Sequence, residues 1–348
     1  MSQLLPPPRY HHKPIHSLAA VSRVLGYSVE TLKHVAGTSS SRYRLAKPIL
    51  KADGSFRRPF DALYPLKDIQ IRIKQRILTA VTFPAYLTGS LKGQDQVRNA
   101  KLHQGASITV CEDIKSFFPS TTSKVIFDIW RGFFGFSEDV SNLLTLLTTK
   151  DDLLPQGAVT SSHLANLVFW RREHALYLRL ASQGVRYSRY VDDITLSSRL
   201  PVTHDDLARH ISLVYGMIRS TGHRAHRGKQ EIQRAHRGMR ATKLLVNRRA
   251  ALGTAERQAT RAAVYALERS FAVTGGVLCP ALIKELNSLS GRVSRLARLH
   301  ANEGQALRAR LMKLRNEVGK SHRVRNDFSQ DEVIGVEPVH HETGEVMQ

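Results

Sequence analysis

Tyr190-Val191-Asp192-Asp193-Ile194-Thr195-Leu196 sets two adjacent carboxylates between runs of β-forming residues. Tyr, Val, Ile and Thr fit a pleated, half-buried surface, so the stretch predicts two paired strands joined by a two-residue acidic turn at Asp192-Asp193. A second acid has the same setting upstream. Ile108-Thr109-Val110-Cys111-Glu112-Asp113-Ile114 is apolar and β-branched, which predicts a buried strand with Asp113 at its end. Carboxylates about 4 Å apart repel by about 4 kcal/mol at an effective dielectric near 20. Acids in apolar strands therefore call for compensation, which a hard divalent cation such as Mg²⁺ supplies through oxygen ligands. Two such ions about 3.5–4 Å apart activate an attacking hydroxyl and stabilise a leaving oxygen. The alternative is a solvated Asp-Asp hairpin turn, with Asp113 capping a helix.

The rest of the chain is strongly basic, which makes those acids conspicuous. Its 348 residues carry 52 Lys+Arg against 29 Asp+Glu, a formal net charge of +23, and 42% are hydrophobic. That is enough for a large core and two or three subdomains. The excess charge repels itself unless a polyanion offsets it, and nucleic acid fits best because neutralised phosphates release counterions. Charge of this kind names a partner and no reaction. Cys111 and Cys279 are the only cysteines, which argues against a disulfide framework or zinc module. Met1 to Lys13 is Pro- and His-rich without an apolar core, and no 18-residue apolar run occurs, so a cytoplasmic protein without a membrane span is expected.

Along the chain, Leu18, Val21, Val24 and Leu25 form an apolar stripe that Gly26 breaks, and Ser28 can cap a second helix. Two small packing helices are expected there, with a helix-turn-helix as the alternative. Tyr43 to Phe60 predicts a hairpin about Asp53-Gly54. Leu66, Ile69, Ile73 and Ile77 recur at helical spacing. Gly89 to Gly105 is Gly-rich. A helix is expected after Pro119, capped by Ser120 or Thr121 and running through Val125, Ile126 and Ile129. Another opens after Gly157 and runs through Leu164, Leu167 and Val168. From Ala251 to about Val324 the pattern is helical, with Leu307, Leu311, Leu314 and Val318 as one stripe. Residues 326–348 are polar and acidic, which predicts disorder. The expected organisation is an N-terminal helical extension (1–42), a central α/β (α+β) domain (43–250), a helical domain (251–325) and the tail.

Four ordered blocks resemble the reverse transcriptases of bacterial retrons and of related defence systems. Tyr190-Val191-Asp192-Asp193 resembles their Tyr-X-Asp-Asp motif, and Asp113-Ile114-Lys115-Ser116-Phe117-Phe118-Pro119-Ser120 is similar to their first palm motif. Leu154-Pro155-Gln156-Gly157-Ala158-Val159-Thr160-Ser161, with Asn166, is similar to their Pro-Gln-Gly block. Lys229 follows in the expected order, and Asn99-Ala100 with His103 resembles a segment typical of retron enzymes. The blocks span about residues 43–250. One departure stands out. Retron enzymes commonly show Val-Thr-Gly before the primer-grip strand Leu244-Leu245-Val246-Asn247, where this chain reads Ala241-Thr242-Lys243.

The resemblance implies a right-hand polymerase with fingers, palm and helical thumb. Asp113, Asp192 and Asp193, with the backbone carbonyl of Ile114, would hold two Mg²⁺ ions, for which Mn²⁺ could substitute. Lys229 would protonate the departing pyrophosphate. Arg57 and Lys51 would hold the triphosphate, Phe118 would stack under the sugar and select dNTPs, and Gln156 and Gly157 would line the nascent pair. The implied partners are a structured noncoding RNA template, its cDNA product, dNTPs and a separate effector protein, in bacterial anti-phage defence; homo-oligomerisation stays open. Template-independent or protein-primed synthesis, RNA synthesis, and a non-catalytic RNA-binding scaffold are the competing readings.

Basic surface supports the nucleic-acid reading independently of that resemblance. Between Arg219 and Arg249 lie ten Lys/Arg against one acid, Glu231. Arg219, Arg224, Arg227, Arg234, Arg237, Arg240 and Lys243 are candidates for phosphate contacts. Arg292, Arg295 and Arg298 repeat the theme on a helix whose buried stripe is Val293, Leu296 and Leu299. His223 and His226 have metal-ligand spacing, but the adjacent arginines disfavour it.

Overall fold

The computed structural model describes residues 5–50, 54, 56–236, 238–274 and 279–328, the last eleven by their backbone alone. The chain forms two compact units that divide after Ala250. The first opens with β1 (Arg9–Tyr10), α1 (Leu18–Leu25) and α2 (Val29–Gly37), then β2 (Tyr43–Leu45), β3 (Ile49–Leu50), β4 (Phe56–Arg57), β5 (Phe60–Ala62) and α3 (Leu66–Arg76). After β6 (Val81–Thr82) and α4 (Gln96–Leu102) come β7 (Ile108–Asp113), α5 (Phe117–Ser120), α6 (Ser123–Asp128), α7 (Glu138–Thr148), α8 (Ser161–Leu167) and α9 (Glu173–Ser182). The unit closes with β8 (Val185–Tyr190), β9 (Asp193–Ser198), α10 (His204–Arg219), β10 (Glu231–Arg234), β11 (Arg240–Ala241) and β12 (Leu244–Leu245).

An antiparallel sheet in the order β10-β7-β9-β8 organises this unit. Alternation gives it two chemically different faces. On one face Val110, Leu196 and Tyr187 share a register row, as do Glu112, Ile194 and Arg189. Buried Leu176 and Leu180 of α9 and Val214, Met217 and Ile218 of α10 belong to the same apolar cluster, and Tyr187 reaches α9 through Glu173. The other face carries small polar groups, Cys111, Thr195 and Ser188 in one row, and α4 lies on it. His103, fully buried, bridges Ser197 Oγ and Ser188 Oγ at 2.7 Å each, and Asn99 Nδ2 donates to Ser188 and Thr88. Burial, reinforced by the Arg186 charge, pushes the His103 imidazole down to about 3, so it sits there neutral.

Local sequence explains most boundaries. Ser17, Ser28, Asp95, Ser137 and Thr203 each accept a backbone N–H in the first turn of the following helix. Gly26 ends α1 at φ 69°, as its lack of a Cβ permits. Val21, Leu25, Leu32 and Val35 of α1 and α2 are buried in the same core as the sheet, which is the packing role rather than a helix-turn-helix. One stretch gains an element and one expectation is corrected. The Gly-rich stretch 89–105 contains α4, which Asp95 starts. The helix after Pro119 begins at Ser123 with Thr122 as its cap, and a separate turn of helix, α5, precedes it. β3 and β4 pair as predicted, Ile49 opposite Arg57, while most of their connecting turn lies outside the described residues.

The second unit consists of α11 (Thr254–Val273), α12 (Pro280–Leu299) and α13 (Ala301–Phe328). Leu282, Leu286, Leu289, Val293, Leu296 and Leu299 bury one face of α12, and Leu307, Leu311 and Leu314 do so on α13. Val318 of the predicted stripe lies where only backbone is described, and residues 329–348 of the predicted tail are outside the description. Among the described residues no helix is long and apolar enough to cross a membrane.

α12 and α13 meet closely at Gly304, where an added Cβ would fall 2.2 Å from Ala297 Cα. Helix propensity alone favours Gly→Ala by about 1 kcal/mol, but overpacking costs about 1–3 kcal/mol. Gly304→Ala should therefore lower the urea midpoint of this unit. Gly291→Ala on α12, with open space around it, should raise it. A stabilised Gly304→Ala protein would show that the two helices do not cross this closely.

Candidate active site

β7, β8 and β9 bring the three sequence-predicted carboxylates to one sheet end. Asp113 pairs with Asp193 across β7 and β9, and Tyr190 pairs with Asp193 across β8 and β9. The turn is therefore Val191-Asp192, not Asp192-Asp193, and Asp193 is the first residue of β9. Asp192 joins the same end through its backbone, its carbonyl accepting from Ile114 N at 3.0 Å. Asp113 is 19% exposed, and Lys229 Nζ stands 3.4 Å from its Oδ2.

Electrostatics mark this end as a place lacking positive charge. Burial first, then repulsion from Asp192 and Asp113, pushes the Asp193 carboxyl up to about 7, against the pull of Lys229 and Lys243. Asp193 still meets solvent, so water screens part of that repulsion. Asp192 is raised as well, by burial and then by Asp113, while Arg57 and Lys229 oppose the shift. Among the described residues no group of three His, Cys, Asp or Glu is already gathered closely enough to hold a metal ion. Yet the chemistry of the donors fits one: an all-carboxylate set at an open strand end suits a hard cation, which would relieve the repulsion.

Sequence reasoning missed the group that holds this turn. Val191 sits at φ 61°, a costly conformation for a β-branched residue. Arg189, with no exposed surface, donates from Nη1 to Val191 O at 3.0 Å and from Nη2 to Asn166 O at 2.9 Å. Its other contacts are a bidentate pair with buried Glu173, at 2.6 and 2.8 Å, and the ring of Phe169. From the opposite side the backbone of Gly89 presses on the turn: a Cβ there would lie 2.4 Å from Val191 N. Asn166 secures that approach by donating to Gly89 O at 2.9 Å. A signal was present in the sequence. Val185, Tyr187 and Arg189 alternate onto one strand face, and two apolar members direct the third inward, where a charge needs a partner.

The remaining candidates are distributed as follows. Phe117 is buried against Phe169 and His223, whereas Phe118 next to it is only half-buried. Gly157, at φ 102°, meets the backbone of Phe60: a Cβ would fall 2.8 Å from Phe60 O, and Phe60 N donates to Gln156 O. The glycine thus serves a chain–chain approach. Ile114 is buried, and its carbonyl takes no part in the ladder formed with residues 224–226. Arg57 is exposed on β4, and Lys51 lies outside the described residues. Arg219, Arg224 and Arg227 line one cavity. Arg234 and Arg240 are exposed on β10 and β11, and Arg237 lies outside the description. Lys243 occupies the β11–β12 turn at φ 70°. In the second unit Arg292 bonds Thr260 and Arg295 pairs with Glu256, so both are engaged by α11. His223 is buried, its ring nitrogens 3.0 and 2.8 Å from the Thr121 and Thr221 hydroxyls.

No protein-family model matches the chain. Similarity to curated proteins is clear. The reverse transcriptase of retron Se72 from Salmonella heidelberg is 36% identical over 211 residues, covering 61% of this chain and 56% of that protein. Those of retrons Ec48 and Ec86 from Escherichia coli are 28% and 31% identical, over 87% and 53% of this chain and 77% and 57% of theirs. The chain thus spans a little over half the length of the Se72 and Ec86 proteins. Telomerase structures from Candida tropicalis and Candida albicans give TM-scores of 0.42 and 0.46, at 11% and 10% identity, over 65% and 88% of this chain and 61% and 68% of theirs. That likeness is too low to carry an inference. The sequence matches are to reverse transcriptases, a class of nucleotidyltransferase. Within that class the relatives are of the retron type.

Arg189→Met should destabilise the first unit by about 3–5 kcal/mol, because Glu173 would be left buried without its counter-charge. Adding Glu173→Met should recover part of that loss in urea unfolding. Strictly additive losses in the double-mutant cycle would refute the clamp.

Proposed function

We propose that the chain is an RNA-directed DNA polymerase that copies a dedicated structured noncoding RNA, within a bacterial anti-phage defence system. The observation that carries this reading is the convergence of Asp113, Asp192 and Asp193 on one sheet end. A protein that only bound RNA would have no use for clustered carboxylates beside phosphates. In this reading the fold follows the right-hand plan: residues 43–250 form fingers and palm behind the N-terminal helical extension 1–42, and helices α11–α13 form a thumb. Such a thumb would follow an A-form duplex by shape and phosphates.

Asp113 and Asp192 would hold two Mg²⁺ ions, with Asp193 and the Ile114 carbonyl supporting them. When bound, such ions activate the attacking 3′-hydroxyl and stabilise the leaving oxygen. The protein's own groups do the positioning. Arg57 draws the triphosphate toward Asp192, a pairing consistent with the electrostatic link between those two side chains. Lys51 would assist it. Lys229, beside Asp113, stands where it can give a proton to pyrophosphate. Phe118, half-exposed next to the buried Phe117, would lie under the sugar and exclude a 2′-hydroxyl. Gln156 and Gly157 would line the nascent pair. Arg234, Arg237, Arg240 and Lys243 would bind nucleic-acid phosphates, and Arg298 would contribute from α12 with Arg292 and Arg295. A separate effector protein completes the defence unit.

Purification of the chain from its host with its accompanying RNA, followed by labelled dNTP incorporation, tests the reading. Asp192→Asn should reduce incorporation by about three orders of magnitude or more, and activity that persists would overturn the site. Phe118→Ala should shift the rNTP:dNTP preference toward rNTPs by about tenfold, equivalent to about 1.4 kcal/mol. An unchanged ratio would return Phe118 to a packing role.

A further inference from the structure

A cavity of about 690 Å³ opens beside the strand end that carries Asp113, lined chiefly by Lys115, Tyr215, Arg219, Arg224, His226 and Arg227. Its lining contains no carboxylate. Four of these side chains carry permanent positive charge, and among the described residues none of the four is paired with an acid. Glu112 is buried, engaged by the Tyr215 hydroxyl and the Gln230 amide, and is not one of the lining residues.

The wall is built rather than loose. Lys115 N donates to Arg224 O at 2.9 Å and His226 N to Asp113 O at 2.7 Å, and Ile114 and Ala225 form an antiparallel bridge. The segment bearing Arg224 and His226 is thus laddered onto the residues that follow Asp113. Arg219 enters from the last turn of α10, and Gly222 turns the chain back at φ 80°. Four cations at fixed backbone positions around one concavity repel one another, and although water screens these exposed side chains, a bound anion lowers that repulsion further.

The shape selects among anions. A nucleic-acid strand carries one charge per phosphate and follows extended grooves. Here the cations converge on a single cavity, which suits a compact group of high charge density. We propose that this cavity is a binding site for a di- or triphosphate group, distinct from the carboxylate site and joined to it through the 113–115/224–226 ladder. The source depends on the polymerase reading above: nucleotidyl transfer releases pyrophosphate, and its nucleotide substrate carries a triphosphate. The binding itself does not depend on that reading.

The test uses the full chain carrying Asp192→Asn, in EDTA at physiological salt, titrated calorimetrically with sodium pyrophosphate. One site is expected, with inorganic phosphate at least tenfold weaker. Arg219→Gln with Arg224→Gln should weaken pyrophosphate at least tenfold. Arg98→Gln with Arg179→Gln, which removes the same charge elsewhere on the first unit, should change it less than twofold. A dATP arm identifies the source: dATP binding as tightly as pyrophosphate indicates the substrate's phosphates, and dATP binding more weakly indicates the released product. The proposal is overturned by absent pyrophosphate binding, by equal losses in both double variants, or by phosphate binding as well as pyrophosphate. It is also overturned if a short single-stranded RNA depends on Arg219 and Arg224 while pyrophosphate does not. Because no turnover is measured, a chain inactive with dNTPs leaves these outcomes intact.

Discussion

A guanidinium without solvent contact determines where the acids of this protein stand. Arg189 is held by both oxygens of Glu173 and in turn holds the carbonyls of Ala165, Asn166 and Val191. Removing two charges from water is costly, and only complete hydrogen bonding makes the pair tolerable. The arrangement is nearly saturated: the Tyr187 hydroxyl also donates to Glu173, and the Phe169 ring lies against the guanidinium. A hydrophobic pair of the same volume would stabilise the core at least as well, but it would not reach two backbone carbonyls of α8 and one of the turn. The buried charge therefore fixes geometry rather than supplying net stability. What it fixes is a turn whose Val191 backbone would otherwise relax.

That turn lies where the two faces of the sheet have opposite requirements. Behind it, Tyr187, Leu196 and Ile194 share the apolar face with Arg189. In front, Ser188, Ser197 and Thr195 present hydroxyls, and His103 and Asn99 satisfy Ser188 and Ser197 without introducing charge. A protonated histidine in that layer would raise the positive potential beside Arg186 and disrupt both serine bonds. Burial keeps it neutral. Apart from the Arg189–Glu173 pair and Glu112, which are buried with their partners, the charged groups gather at the open end, where Asp113, Asp192 and Asp193 face Lys229 and the charge of Arg57. Segregation of this kind leaves the carboxylates mutually repulsive yet accessible, the condition under which an incoming cation gains most.

Legibility from sequence divides along the same physical line. The strands around Asp113 and Asp193 could be read because β-branched runs and an acidic turn are local signals. Strand pairing then placed Asp113 opposite Asp193, while the turn itself moved by one residue because Val191 accepted a left-handed conformation. Nothing within a few residues of Val191 predicts that. Arg189 holds the Val191 carbonyl from two residues away, but its own placement and the rest of the support come from Gly89, Asn166 and Glu173, all distant in sequence and brought close by folding. The stretch 89–105 hid α4 because glycines at both ends outweighed a seven-residue helix started by Asp95. Likewise Gly157 was legible as a close approach, but the identity of its neighbour, Phe60, was not.

Lys243 shows the conflict between backbone and charge at a single residue. It stands at φ 70° in the β11–β12 turn, beside Thr242, also left-handed, where glycine would avoid a cost of about 1 kcal/mol or more. The turn is fixed from two sides, by Thr242 Oγ1 on the Gln96 carbonyl of α4 and by Cys111 Sγ on the Arg240 carbonyl. Cys111 shares its sheet face with Asp113, so the hairpin lies along the row that ends in the carboxylates, and the Lys243 charge counters the repulsion felt by Asp193. Glycine would relax the turn and remove that charge together. Retaining lysine in a conformation that disfavours it is intelligible if a cation over this row matters more than an unstrained turn. The clamp at Val191 and the lysine at 243 then obey one rule, with strain concentrated where charge must be positioned.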